Sequence, residues 1–147
     1  MSHVRRVVHI RVLVVARSGP VRAATLGAFA CDHGMSVVGQ GATCAADALR
    51  EIDRWRPDVV VLDATTVPGV DALAEVVRTY DLGPFERAPG LVLVGRSRRA
   101  GVRGVLVVQA RRGGDEELLD FQGELVGAVW SAAASRVRGR DSLPSSS

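Results

Sequence analysis

Lysine and asparagine are absent from this chain of 147 residues, and aromatic residues make up only 4% of it. All 19 basic side chains are therefore arginines, which excludes chemistry that needs a lysine amine. The absence also indicates a GC-rich genome, because lysine and asparagine use A-rich codons. The two cysteines, Cys31 and Cys44, are too few for a disulfide framework or for a zinc site of three or four ligands. We expect no metal site.

Several other patterns are also missing. No run approaches the roughly 20 apolar residues that cross a bilayer, and the basic N-terminus is not followed by a signal-peptide core. We therefore expect a cytoplasmic protein without a membrane partner. Neither of the glycine-rich nucleotide-binding patterns, GxGxxG and GxxxxGK followed by Ser or Thr, occurs in the sequence, so no cofactor is expected. No serine–histidine–acid set and no helix-turn-helix is visible, which argues against an enzyme and against direct DNA binding by a chain of net charge +3.

What the chain does contain is an alternation of two kinds of segment. Hydrophobic residues make up 47% and charged residues 24%, which is typical of one globular domain. Short β-branched runs predict strands at 11–16, 35–39, 58–63, 91–94 and 105–108. Amphipathic segments predict helices at 21–33, ended by Gly34, and at 45–55 and 70–78, and one or two helices at 115–138. The predicted organisation is an N-terminal extension (1–10), one domain (11–138) and a flexible Ser/Pro-rich tail or linker start (139–147).

This alternation predicts an α/β fold with a doubly wound, five-stranded parallel sheet. In such sheets the functional crevice lies at the carboxyl ends of the strands. The residues expected around that crevice are Ala16, Arg17, Asp63, Gly95 and Val108.

The run Arg-Pro-Asp-Val-Val-Val-Leu-Asp, ending at Asp63, is followed by Pro-Gly-Val-Asp-Ala-Leu at 68–73. Gly-Val-Arg-Gly at 101–104 precedes the fifth strand, and weaker matches follow at 116–119, 127–130 and 134–136. In this order the segments resemble the CheY-like receiver domain of LuxR-type (NarL/FixJ-like) response regulators. The resemblance implies a flavodoxin-like sheet with helices on both faces. Only about ten residues separate strands four and five, so the fourth helix is expected to be short or missing.

The site residues of that family are mostly replaced here. In the family, an acidic pair helps hold Mg²⁺ beside a phosphoacceptor aspartate, and a hydroxyl and a lysine contact the phosphoryl group. The aligned positions carry Ala16 and Arg17 for the acids, Gly95 for the hydroxyl and Val108 for the lysine, so only Asp63 remains. We expect Asp63 to be a retained carboxylate that accepts backbone or arginine hydrogen bonds and does no chemistry. The hypothesis for its partner is Arg17, which would pair directly with Asp63 and close the site.

The resemblance therefore implies an atypical receiver, or pseudo-receiver, that acts as a phosphorylation-independent signalling and dimerisation module of a transcriptional regulator. One alternative is a receiver that senses a small molecule at the strand ends. Another is residual phosphorylation of Asp63.

The expected partners follow from the same hypotheses. The arginine-rich loop could bind an anion or a small-molecule ligand through Arg96, Arg98, Arg99 and Arg103. The first and last helices offer an apolar stripe, most of which should be core, comprising Leu26, Phe29, Leu118, Leu119 and Phe121. Related receivers often pair through such surfaces, so the resemblance implies a homodimer. DNA would be reached only through an additional domain.

Overall fold

The computed structural model describes residues 9–78, 89–95, 106–110 and 114–141. These residues form five strands and four helices. The strands are β1 (Ile10–Val15), β2 (Met35–Gly39), β3 (Val59–Asp63), β4 (Gly90–Gly95) and β5 (Leu106–Gln109); the helices are α1 (Pro20–Ala30), α2 (Ala45–Trp55), α3 (Val70–Arg78) and α4 (Asp115–Asp141). Within the described part of the chain, no helix combines the length and apolarity needed to cross a membrane.

The strands form one parallel sheet in the order β2-β1-β3-β4-β5. This arrangement confirms the predicted doubly wound α/β fold. Strands β1, β3 and β4 lie inside the sheet and are almost entirely buried. Their continuous Val/Leu/Ile runs are typical of parallel strands that are covered on both faces.

Successive side chains of each strand point to opposite faces, and this alternation divides the core in two. One cluster lies between the sheet and α1 with α4, and it contains Val12, Val59, Phe29, Phe121 and Leu125 among others. The other lies between the sheet and α2 with α3, and it contains Leu13, Val60, Ile52 and Leu73 among others.

Local signals account for most of the helix boundaries. Helix α2 ends because Arg56 adopts a left-handed backbone with φ of 49° directly before Pro57. Helix α3 begins after Pro68 and Gly69, and the φ of 75° at Gly69 suits a turn that glycine makes without strain.

The end of α1 differs from the prediction. The helix ends at Ala30 with Cys31 as its C-cap, so Gly34 does not cap it. Gly34 is instead required by packing, because a Cβ atom there would lie 2.8 Å from Cζ2 of Trp130 on α4. The Gly34 N–H donates to Asp32 Oδ1 at 2.8 Å, and Trp130 Nε1 donates to Asp32 Oδ2 at 3.2 Å.

The pairing of β1 with β2 contains an irregularity. Val12 pairs with Val37 but Leu13 pairs with Gly39, so the register shifts by one residue on β2. Glycine is needed at this point because a Cβ atom on residue 39 would lie 2.6 Å from Cδ1 of Leu13.

Some predictions fall outside the described residues. These include the short or missing fourth helix, which would lie in 96–105, the segment 1–8 of the N-terminal extension, and residues 142–147 of the tail. Helix α4 runs to Asp141, past the predicted domain boundary at 138.

Candidate functional site

Asp63 is the last residue of β3, in the interior of the sheet. It pairs with Val94 of β4. Its exposed fraction is 2%, and it is one of two polar or charged residues that are buried in the described part of the chain. A carboxylate at this depth needs hydrogen-bond donors, because burial of an unpaired charge is strongly unfavourable.

The donors come from the two threonines that follow. Asp63 Oδ1 accepts hydrogen bonds from the backbone N–H of Thr65 at 2.9 Å and from its hydroxyl. Asp63 Oδ2 accepts a hydrogen bond from the hydroxyl of Thr66 at 2.8 Å. The hydrogen bond from the Thr65 N–H closes a local turn that aspartate favours, in which the aspartate side chain binds the backbone two residues later. Both oxygens of the carboxylate are thus engaged by their own loop.

Thr66 also connects this loop to the neighbouring one. Its hydroxyl oxygen accepts a hydrogen bond from the backbone N–H of Arg17 at 3.0 Å. The hydroxyl therefore bridges the β1–α1 loop and the carboxylate of Asp63, since it accepts from one and donates to the other. This three-membered arrangement of Arg17, Thr66 and Asp63 is called the hydroxyl bridge below.

The predicted ion pair between Arg17 and Asp63 is wrong. Both residues are described, no ion pair joins them, and Arg17 is exposed. The physical reason is that the threonine hydroxyls and one N–H already satisfy the carboxylate. The guanidinium remains in water, where it does not lose its hydration.

The other predicted site residues are placed as follows. Ala16 is 1% exposed directly after β1, and Gly95 is a buried residue at the end of β4, so both lie with Asp63 at the same end of adjacent strands. Val108 lies one residue before the end of β5, is 3% exposed and packs in the apolar core rather than at the edge of a crevice. The last residue of β5 is Gln109, which pairs with Gly95. Arg96, Arg98, Arg99 and Arg103 lie outside the described residues.

Mg²⁺, which receiver domains use, does not fit the residues present. The ion prefers several oxygen ligands in octahedral geometry. Among the described residues, Asp63 is the only carboxylate at these strand ends, both of its oxygens accept hydrogen bonds, and the residue after β1 is the apolar Ala16. Among the residues that the structure describes, no group of three or more His, Cys, Asp or Glu could hold a metal ion.

Thr65 and Thr66 were not predicted as site residues. The alignment with the receiver family directs attention to Asp63 and to more distant positions. A local signal was available nonetheless, because an aspartate followed two and three residues later by threonines is a pattern for side-chain capping of a turn.

The chain is similar to several solved structures. The signal receiver domain of the response regulator NarL from Mycobacterium tuberculosis superposes with a TM-score of 0.62 at 24% identity, covering 87% of this chain and 98% of that one. The response regulator domain of Thermotoga maritima CheB gives a TM-score of 0.65 at 20% identity, with 86% and 97% covered. A two-component response regulator of the LuxR family from Aurantimonas sp. SI85-9A1 gives 0.62 at 23% identity, with 87% of each chain covered.

The chain has the receiver fold of response regulators. The strand order and the coverage of nearly complete receiver domains agree on this point. No protein-family model matches the sequence, and no curated protein matches it either.

Proposed function

We propose that this chain is a pseudo-receiver, a signalling module that works without phosphorylation, and that it belongs to a transcriptional regulator. The observation that carries the proposal is the state of Asp63, whose two carboxylate oxygens are engaged by Thr65 and Thr66 in a buried position. The similarity to the NarL and LuxR-family response regulators supports the link to a regulator. In this proposal DNA is reached through a further domain.

Phosphoryl transfer to a carboxylate requires a free oxygen as the nucleophile and positive charge to stabilise the transition state. In this chain an attack by Asp63 would first break hydrogen bonds to threonine. The phosphoryl group would then add a charge of about −2 to the site. No lysine is available to neutralise that charge, since the chain contains none. Arg17 is exposed, and its hydrogen bond to the site is donated by its backbone N–H.

The test is an NMR titration of the ¹⁵N-labelled chain with Mg²⁺ and then with beryllofluoride, a phosphoryl mimic. We expect no saturable shift of the amides of Ala64, Thr65 and Thr66. Intact-mass measurement after incubation with acetyl phosphate should likewise detect no phosphoryl adduct. The matched control is Asp63→Asn, which keeps the shape of the side chain and removes the acceptor.

Saturable shifts that spread from Asp63 to β5 in the unmodified chain, and that disappear in Asp63→Asn, would contradict the proposal and would establish Asp63 as a phosphoacceptor. A gain of beryllofluoride binding in a Thr65→Ala/Thr66→Val variant would support the proposal. Such a gain would mean that the hydrogen bonds from the two threonines prevent binding at Asp63.

A further inference from the structure

Three loops follow neighbouring strands at the end of the sheet where Asp63 lies. They are the β2–α2 loop (40–44), the β1–α1 loop (16–19) and the β3–α3 loop (64–69). The strand order places β1 between β2 and β3, so the β1–α1 loop lies between the other two loops. A path of hydrogen bonds from the β2–α2 loop to the turn that holds Asp63 therefore passes through the β1–α1 loop.

The β1–α1 loop is bonded to its neighbours on both sides. On one side the backbone N–H of Arg17 donates to Thr66 Oγ1 at 3.0 Å, which continues through the hydroxyl bridge to Asp63. On the other side the backbone N–H of Ala16 donates to the carbonyl oxygen of Ala42 at 3.3 Å. Two consecutive residues thus connect the loop to both of its neighbours.

The side chain of Arg22 adds a second contact with the β2–α2 loop. Arg22 lies in the first turn of α1, and its Nη2 donates to the carbonyl oxygen of Gln40 at 2.8 Å. Helix α1 begins at Pro20 after Gly19, which makes no side-chain cap. The start of the helix is therefore positioned by its contact with the neighbouring loop rather than by a cap of its own.

The Arg22 contact is weaker than the hydroxyl bridge. The Nε atom of Arg22 is buried and has no hydrogen-bond partner among the described residues, and a buried unpaired donor is unfavourable. The bond from Nη2 to Gln40 is exposed, so water competes for both groups. At Asp63, in contrast, a buried carboxylate receives three hydrogen bonds. The contact with Gln40 therefore opens more readily than the turn at Asp63.

We propose that these contacts form a conformational link, through which a disturbance of the β2–α2 loop changes the turn that holds Asp63, and the reverse. The link consists of the Arg22–Gln40 contact, the Ala16–Ala42 hydrogen bond and the hydroxyl bridge. Arg22 and Thr66 are its positioning residues, because their side chains make the contacts at its two ends. Gln40, Gly41 and Thr43 are exposed, so another molecule can reach the β2–α2 end.

The proposal goes beyond the proposed function, because it concerns how the unmodified chain transmits a contact from one loop to another. Coupling between two places in a molecule is reciprocal in free energy. A change at either end should therefore be measurable at the other end.

The first test disturbs the β2–α2 end and observes the Asp63 end by amide hydrogen exchange of the full ¹⁵N-labelled chain. Arg22→Met keeps a long side chain and removes the donors. We expect exchange of the Arg17 amide, which donates to Thr66, to rise about threefold to tenfold, and exchange of the Thr65 amide to rise in the same direction. The matched control is Arg50→Met, an exposed arginine of α2, which should change neither amide.

The amide of Gly90 reports opening of the whole domain, because it donates to the carbonyl oxygen of Asp58 at the opposite end of the sheet. Its exchange in Arg22→Met should change less than about twofold. Unchanged exchange of Arg17 and Thr65 would overturn the link. A rise equal to that of Gly90 would also overturn it, because the substitution would then act on the whole fold.

The second test disturbs the Asp63 end and observes the β2–α2 loop. Thr66→Val removes the hydroxyl, and we expect the amide resonances of Gln40 and Gly41 to shift, although no described hydrogen bond joins Thr66 to either residue. Thr66→Ser retains a hydroxyl and should leave both resonances close to those of the unmodified chain. Equal shifts in the two variants would overturn the proposal, because the hydroxyl would then not be the cause.

The third test combines the two substitutions. In Arg22→Met/Thr66→Val, the increase in exchange of the Arg17 amide should be smaller than the product of the two single increases, because each substitution opens the same link. An increase equal to that product would mean that the two ends are independent, which would overturn the proposal.

The link and the proposed function fail in different ways. Independent responses of the two ends, with no beryllofluoride binding, would overturn the link and leave the proposed function standing. Coupled ends together with saturable beryllofluoride binding at Asp63 would overturn the proposed function and leave the link standing.

Discussion

The Asp63 site and the outer face of α4 differ in how far their residues are satisfied by contacts within the chain. At Asp63 a buried carboxylate receives three hydrogen bonds from the two threonines that follow it, and the hydroxyl bridge extends to the backbone of Arg17. The outer face of α4 consists of the exposed residues Glu116, Leu119, Gly123, Gly127 and Ser131. Leu119 is 66% exposed, and a Cβ atom built on Gly123 or Gly127 meets no described atom within 4 Å. The difference teaches that a buried carboxylate is satisfied by hydrogen bonds from its own loop, whereas the residues of this helix face lie in water.

The largest expected effect separates the two faces of α4. Leu125 is fully buried, so Leu125→Ala should lower the free energy of unfolding by about 2–5 kcal/mol through loss of apolar contact and a residual cavity. Leu119→Ala, on the exposed face, should change it by less than about 0.5 kcal/mol. Urea denaturation at low micromolar concentration measures both. Equal losses would mean that the outer face is already covered within the chain.

The next effect tests the hydroxyl bridge. Thr66→Val keeps the shape of the side chain but removes the donor to Asp63 and the acceptor for the Arg17 N–H. We expect a loss of about 1.5–3 kcal/mol, since a buried charged group and a backbone donor lose a partner together. A shift of the Arg17 amide resonance should accompany it. The control is Thr43→Val, an exposed threonine, which should leave stability nearly unchanged.

How much of this could be predicted from the sequence depends on the range of the interactions. Helices α2 and α3 and strand β2 were predicted with their observed bounds, because periodicity, Pro57, Pro68 and Gly69 are local signals. The end of α1 was predicted three residues too late. The glycine at 34 reflects contact with Trp130, far away in the chain, and sequence patterns do not reveal such a contact.

The site was predicted only in part for a related reason. The sequence indicates Asp63, and a parallel sheet predicts that Ala16 and Gly95 lie beside it at the strand ends. Arg17 was predicted as the partner of the carboxylate because an arginine stands where the family has an acid. That alignment does not include the geometry of the turn, in which Thr65 and Thr66 donate hydrogen bonds to the carboxylate. Val108 was predicted at the strand end, and the observed register of β5 places Gln109 there instead.

Substitution of Gly90 and of Gly123 by alanine should change the stability of the chain in opposite directions. Gly90→Ala should destabilise the chain by about 1–3 kcal/mol, because the new Cβ would lie 2.8 Å from the carbonyl oxygen of Ala132. Gly123→Ala should stabilise it by about 0.5–1 kcal/mol, because the position is open and alanine favours a helix. Thermal unfolding at low concentration measures both. A destabilised Gly123→Ala chain would show that this face packs within the monomer.

The smallest expected effect concerns a surface carboxylate, Asp47 of α2. The hydrogen bond from Arg50 holds the pKa of Asp47 below its usual value of 3.8. A carboxylate with a lowered pKa in the folded state contributes stability above that usual value, and the contribution is lost as the pH falls through the folded pKa. The difference in melting temperature between the unmodified chain and Asp47→Asn should therefore narrow below pH of about 4. The difference in melting temperature between the unmodified chain and Arg50→Gln should narrow in the same pH range. A difference that stays constant with pH would contradict the hydrogen bond from Arg50 as the cause of the lowered pKa.

The register shift between β1 and β2 bears on solubility. An open sheet ends in two strands whose free backbone groups can recruit strands from other molecules, which leads to aggregation. Here the edge strand β2 carries a bulge, because Val12 pairs with Val37 and Leu13 pairs with Gly39, which leaves Val38 without an opposite residue on β1. A bulge bends and twists an edge strand and makes it a poor template for strand addition. The β2 margin of the sheet is thereby protected against disordered growth.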